Sequence, residues 1–190
     1  MARAADSGDR WEFSESARHR GNAAAVQRAN ELTPGGERVQ ALASVLYDLH
    51  NDIGLSASLG PKQAEKNLLF AQHLDALQAG DVVVGDRAYA GYGVLATLVA
   101  RQCHFVIRFP RQDFALVNAF WAAQAPEQVV TMAVTSKSQA SVAKHHWPTT
   151  LPLRLIKVRL ATGEVEVVGT DLLDAQIYPA AEFKEVYGWR

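Results

Sequence analysis

The sequence predicts an α/β fold, a mixed sheet flanked by helices, on three observations. Residues 82–84 are three consecutive valines between Gly80 and Gly85, a run too β-branched to favour a helix and short enough for a fully buried strand. Tyr92, Leu95, Leu98 and Val99 then recur at helical spacing, and residues 103–108 read as another strand. This β–α–β succession implies a parallel pair with a right-handed crossover. Two stretches of alternating apolar and polar residues, 39–59 and 156–167, add antiparallel hairpins.

The 190 residues suit one domain with a sizeable core, or a domain plus an appendage. A hydrophobic share of 48% and a charged share of 21% are ordinary for a soluble globular protein. Net charge of −1 gives no global attraction to nucleic acid, so any DNA contact must come from local patches. Cys103 is the sole cysteine and lies in an apolar run; it cannot form an internal disulfide, fits a reducing cytoplasm, and reads as core rather than nucleophile. No apolar signal region opens the chain, and no apolar run approaches the roughly 18 residues of a membrane span.

Taken in order, residues 1–37 are the least specified, with a loose basic stretch at Arg18, His19, Arg20 and Arg28 and a break at Pro34-Gly35-Gly36. Residues 39–59 read as two antiparallel strands turning near Asn51. Gly60-Pro61 should open a helix whose apolar stripe is Phe70, Leu74 and Leu77, stopping at Gly80. Beyond the β–α–β unit, residues 111–150 look different in character: a short helix over 113–123, a strand over 129–134 and a polar loop over 136–141. His145-His146 invites a zinc reading, but adjacent histidines on a strand face opposite ways and no further His or Cys lies nearby. A two-residue turn at Ala161-Thr162 or Thr162-Gly163 would set Lys157 and Arg159 opposite Glu164 and Glu166 across a hairpin. Pro179 should start a last helix that buries Phe183, Val186 and Tyr187.

Chemistry concentrates after the valine strand. Asp86 follows it at once, where open α/β sheets place their ligands. With Arg87 and Tyr89 beside it, a carboxylate on a rigid strand end suits a divalent cation next to a phosphate. Spacing alone equally allows Asp86 to cap the next turn or helix.

The stretch Asp81-Val-Val-Val-Gly-Asp86-Arg-Ala-Tyr89, its helix and Cys103-His-Phe-Val-Ile-Arg108 resemble the block around the second catalytic aspartate of bacterial insertion-sequence transposases, of the IS-four-like group. The family pattern is Gly-Asp-hydrophobics-Asp-Arg-Gly-Tyr, so Ala88 stands where glycine is usual. Thr170-Asp171-Leu172 and Tyr187-Gly188-Trp189-Arg190 resemble its C-terminal signature, Thr-Asn/Asp-Leu followed by Tyr-x-x-Arg-Trp-x-x-Glu. Residues 61–66 through His73-Leu74 resemble the family helix before the second aspartate.

The resemblance implies a ribonuclease-H-like domain over 38–190, with an α/β insertion at 111–150 after the second catalytic strand, and an Asp-Asp-Glu triad holding two Mg²⁺ (or Mn²⁺) ions. Asp86 would be the second catalytic carboxylate and a metal ligand. Asp6, with Asp9 as competitor, would be the first, in a remnant of the first catalytic strand. Arg87, Tyr89, Tyr187 and Arg190 would approach DNA, the implied partner being double-stranded transposon ends held by a homodimer in the bacterial cytoplasm. The third carboxylate should lie just beyond Arg190. Glu182 and Glu185 fall a turn or two early, and one turn displaces a ligand by about 5.4 Å. The expectation is therefore a catalytic domain trimmed at both ends and inactive alone.

Overall fold

Two sheets organise the described residues of the computed structural model, which comprise the backbone of 14–15, 27–30, 37–61 and 70–188 and the side chains of 41–61 and 70–187. The first sheet is built on β3 (Glu37–Asp48), which pairs antiparallel with β1 (Ser14–Glu15), β2 (Gln27–Asn30) and β4 (Ile53–Pro61). The β3–β4 hairpin turns through 49–52, as its alternation and Asn51 predict. The Asp48 carboxylate accepts the amides of His50 and Asn51 there, and Asp52 takes the left-handed φ of 54°. The expected helix start at Gly60-Pro61 is corrected: β4 runs on to Pro61, which pairs with Ala41. The long β3 offers a partner that far, and a proline at a strand end forfeits little of the ladder. Residues 62–69, where the sequence predicts most of that helix, lie outside the described residues.

The second sheet runs β5-β6-β9-β8-β7, with β5 (Val82–Gly85), β6 (His104–Phe109), β7 (Glu127–Ala133), β8 (Thr150–Arg159) and β9 (Val165–Thr170). β5 and β6 are parallel, as the β–α–β reading requires, and α1 (Tyr92–Ala100) connects them; the other pairs are antiparallel. Three further helices are α2 (Ala115–Ala122), α3 (Gln139–His145) and α4 (Glu182–Gly188). Side chains alternate between two cores, as the period of a strand demands. Val83, Phe105, Ile107, Leu153, Leu155 and Val167 face α1 and α2, with Leu46 of β3 joining them. Val82, Val84, Val106, Ile156, Val158 and Val168 face Phe183, Val186 and Tyr187 of α4. Burial on both faces is why residues 82–84 can be three valines in a row.

Two local expectations fail for identifiable reasons. The β8–β9 loop has three residues, 161–163, and Gly163 takes φ 89°. The third residue moves the register by one, so Val158 faces Glu166 and Lys157 faces Val167. The basic and acidic residues therefore do not meet across the hairpin. The polar stretch 136–141 is not a loop either. A 3-10 turn at Ser136–Ser138 leads into α3, which buries Val142 and ends with His146 at φ 54°. The adjacent histidines thus sit at a helix C-terminus rather than on a strand, and His145 stacks on Trp147 at 4.7 Å.

Candidate active site

Asp86 stands one residue beyond β5, at the carboxyl end of the parallel pair, with extended φ and ψ of −77° and 174°. It heads a 3-10 turn over Arg87–Tyr89: Oδ1 accepts the Ala88 amide at 2.8 Å and its carbonyl accepts the Tyr89 amide at 3.0 Å. The capping role that spacing allows is thus real, yet it occupies one oxygen. Among the described residues nothing donates to Oδ2, and the side chain is half-buried. A hard, partly exposed carboxylate oxygen suits Mg²⁺ or Mn²⁺, which keep open positions for phosphate. Gly85 permits this turn to lie close, since a Cβ there would stand 3.3 Å from Ile107 and 3.5 Å from Tyr89.

The sheet lines up further groups at the level of Asp86. Gly85 pairs with Ile107, so Arg108 is the neighbouring residue on β6, and strand alternation sets both Asp86 and Arg108 on the α4 side. Arg108 forms an ion pair with Glu166 of β9. The Tyr187 hydroxyl of α4 donates to the same Glu166 at 3.5 Å. Asp86 and Tyr187, predicted from separate stretches of sequence, therefore belong to one side of the sheet. The Thr170-Asp171-Leu172 stretch has a structural task as well: the Asp171 carboxylate accepts the Phe105 amide at 2.9 Å and bonds His104 at 2.8 Å, fastening the start of β6.

Other predicted residues differ in exposure. Arg87 is exposed, whereas Tyr89 is half-buried with its hydroxyl 3.2 Å from Ser44 Oγ. Tyr187 is only 2% exposed. Glu185 is exposed and Glu182 half-buried on α4. Asp6, Asp9 and Arg190 lie outside the described residues. Among the described residues, no three His, Cys, Asp or Glu side chains gather to hold a metal. Asp86 thus fits as one ligand, and the described residues do not complete a set.

A polar network behind the site escapes the sequence reading. His73 is fully buried, with Nε2 2.9 Å from Ser44 Oγ of β3 and Nδ1 2.9 Å from Ser56 Oγ of β4. Burial pushes its pKa below the ordinary 6.5, with a hydrogen bond to Ser44 pulling the other way. Its signal is present in the sequence: His73 follows Phe70 by three and precedes Leu77 by four, on the predicted apolar stripe. The Arg108–Glu166 pair, by contrast, depends on the hairpin register and could not be read beforehand.

Among the described residues no helix is long and apolar enough to cross a membrane. The family profile for the transposase DDE domain matches residues 16–187. Neither curated proteins nor solved structures gave a match. The profile covers most of the sequence, and the mixed five-stranded sheet with helices on both faces agrees with it. The chain belongs to the transposase DDE domain family.

Proposed function

We propose that the chain serves DNA transposition as a domain that engages the phosphodiester backbone, with Asp86 as ligand of a divalent cation. The observation that carries this reading is Asp86 at the carboxyl end of β5, one oxygen committed to its own turn and the other without a donor among the described residues. Mg²⁺ or Mn²⁺ held there would supply Lewis-acid stabilisation of charge on the phosphodiester oxygens. The chain's own contributions are positional and electrostatic. Asp86, with Asp6 as the other carboxylate the family resemblance names, would bind the cation. Exposed Arg87 would meet a DNA phosphate, and Arg190 is the second cation the resemblance assigns to that task. Tyr89 and Tyr187 would face DNA only by loosening hydroxyls now bonded to Ser44 and Glu166, so their support for the site is chiefly architectural.

A second element of the proposal draws on α4, whose Glu182 and Glu185 do not join Asp86 in a three-membered ligand cluster. Alone, the chain binds DNA and divalent cations weakly and transfers no strand. The test is incubation with supercoiled DNA and Mg²⁺ or Mn²⁺, alongside DNA binding at several salt concentrations. The expected result is binding that weakens with salt, without nicking. Nicking abolished by Asp86→Asn would overturn the inactivity while supporting the catalytic assignment. Absence of DNA binding at low salt, with or without the cation, would overturn the functional reading itself.

A further inference from the structure

We infer that Ser44 and His73 are positioning residues that act through Tyr89 to hold the Asp86 turn in its metal-ready conformation. The inference rests on the reading of Asp86 as a metal ligand, and it assigns the hairpin β3–β4 a role at a site it does not line. Three observations carry it. First, the 3-10 turn after Asp86 is short, and a 3-10 turn has poorer hydrogen-bond geometry than an α-helix. It therefore needs an external hold to keep a carboxylate aimed. Second, the hold exists: the turn's last residue, Tyr89, reaches back to Ser44 Oγ at 3.2 Å, and its ring lies 6.3 Å from that of Phe70. Third, Ser44 is itself fixed. Its hydroxyl also meets His73 Nε2 at 2.9 Å, and His73 Nδ1 meets Ser56 Oγ at 2.9 Å, so one buried ring bolts both strands of the hairpin together.

A fully satisfied chain of buried bonds rigidifies what it connects. A buried imidazole flanked by two hydroxyls is expensive to desolvate and is offset only by complete pairing. An apolar side chain in the stripe of Phe70, Leu74 and Leu77 would pack there without that cost. The polar route instead ends on the residue three positions after Asp86, and Tyr89 N–H is bonded to the Asp86 carbonyl at 3.0 Å. Movement of Tyr89 therefore moves the turn, the Ala88 amide and the Asp86 oxygen that this amide holds.

The experiment uses the full chain and two amide readouts by NMR: the resonance and hydrogen exchange of Ala88 without metal, and broadening at Arg87 and Ala88 on titration with Mn²⁺. Tyr89→Phe removes one hydroxyl and Ser44→Ala the link to His73. Both should shift Ala88, speed its exchange and raise the half-broadening Mn²⁺ concentration by about tenfold, the low end for outer-shell changes at metal sites. Ser56→Ala loosens the other arm of the same buried network but leaves Ser44, His73 and Tyr89 connected, so Ala88 and the Mn²⁺ response should change clearly less than in Tyr89→Phe or Ser44→Ala. If Tyr89→Phe and Ser44→Ala leave Ala88 unchanged, or Ser56→Ala disturbs it equally, the inference is overturned and the network is merely structural. A lack of Mn²⁺ broadening in the unaltered chain would count against the metal reading alone, because the metal-free Ala88 shift still reports the anchoring.

Discussion

Single side chains carry the sharpest consequences in this molecule. Burial lowers the pKa of His73 in the fold, whereas an unfolded chain protonates it near the ordinary 6.5. As pH falls below that value the unfolded state binds the proton first, so stability is full above it and declines on acidification, with a limiting slope of about 1.4 kcal/mol per pH unit. Chemical denaturation between pH 8 and 5 should show this decline, and His73→Gln should flatten it. Arg154 makes a complementary case. It is 1% exposed, paired with Glu127, bonded to the carbonyls of Leu172 and Tyr178, and 5.5 Å from the Phe183 ring. Glu127→Ala would leave a buried guanidinium without its counter-charge, which costs roughly 3–5 kcal/mol in a closed site. Glu127 keeps 33% of its side-chain surface exposed, so about 2–3 kcal/mol is the expected loss in urea denaturation.

At the scale of elements, the tightest junction is β9 against β6 and β8. A Cβ on Gly169 would come within 2.5 and 2.7 Å of the Phe109 ring and 3.2 Å of Leu153. Because Phe109 is itself in the core, Gly169→Ala should destabilise by about 1–3 kcal/mol, read as a lowered Tm. The β5–α1–β6 unit is legible in the sequence because its signal is local: an apolar run, a helical stripe and a second run, each ended by a turn. The burial of Phe183, Val186 and Tyr187 is legible for the same reason. The partners of Glu166 are not. They hang on one extra residue in the 161–163 loop and on β6, which is distant in sequence yet adjacent in the sheet. Likewise, the reach of β4 to Pro61 follows from the length of β3, which no local pattern at Gly60-Pro61 announces.

For the whole molecule, the pieces of the candidate site come from different depths of the sequence. Asp86 and Arg87 could be singled out because a carboxylate at a strand end has a chemical meaning by itself. Tyr89 is singled out with them and His73 lies on the apolar stripe, but their convergence with Ser44 forms only when the hairpin packs beside the Asp86 turn. In the proposed function this convergence would present Asp86 to a divalent cation. The decisive measurement is a Mn²⁺ titration of the chain that follows amide broadening residue by residue, in parallel with Asp86→Asn. The expected result is early, localised broadening at Arg87 and Ala88 that Asp86→Asn removes while the remaining spectrum stays folded. Broadening centred elsewhere, or unchanged by Asp86→Asn, would contradict it.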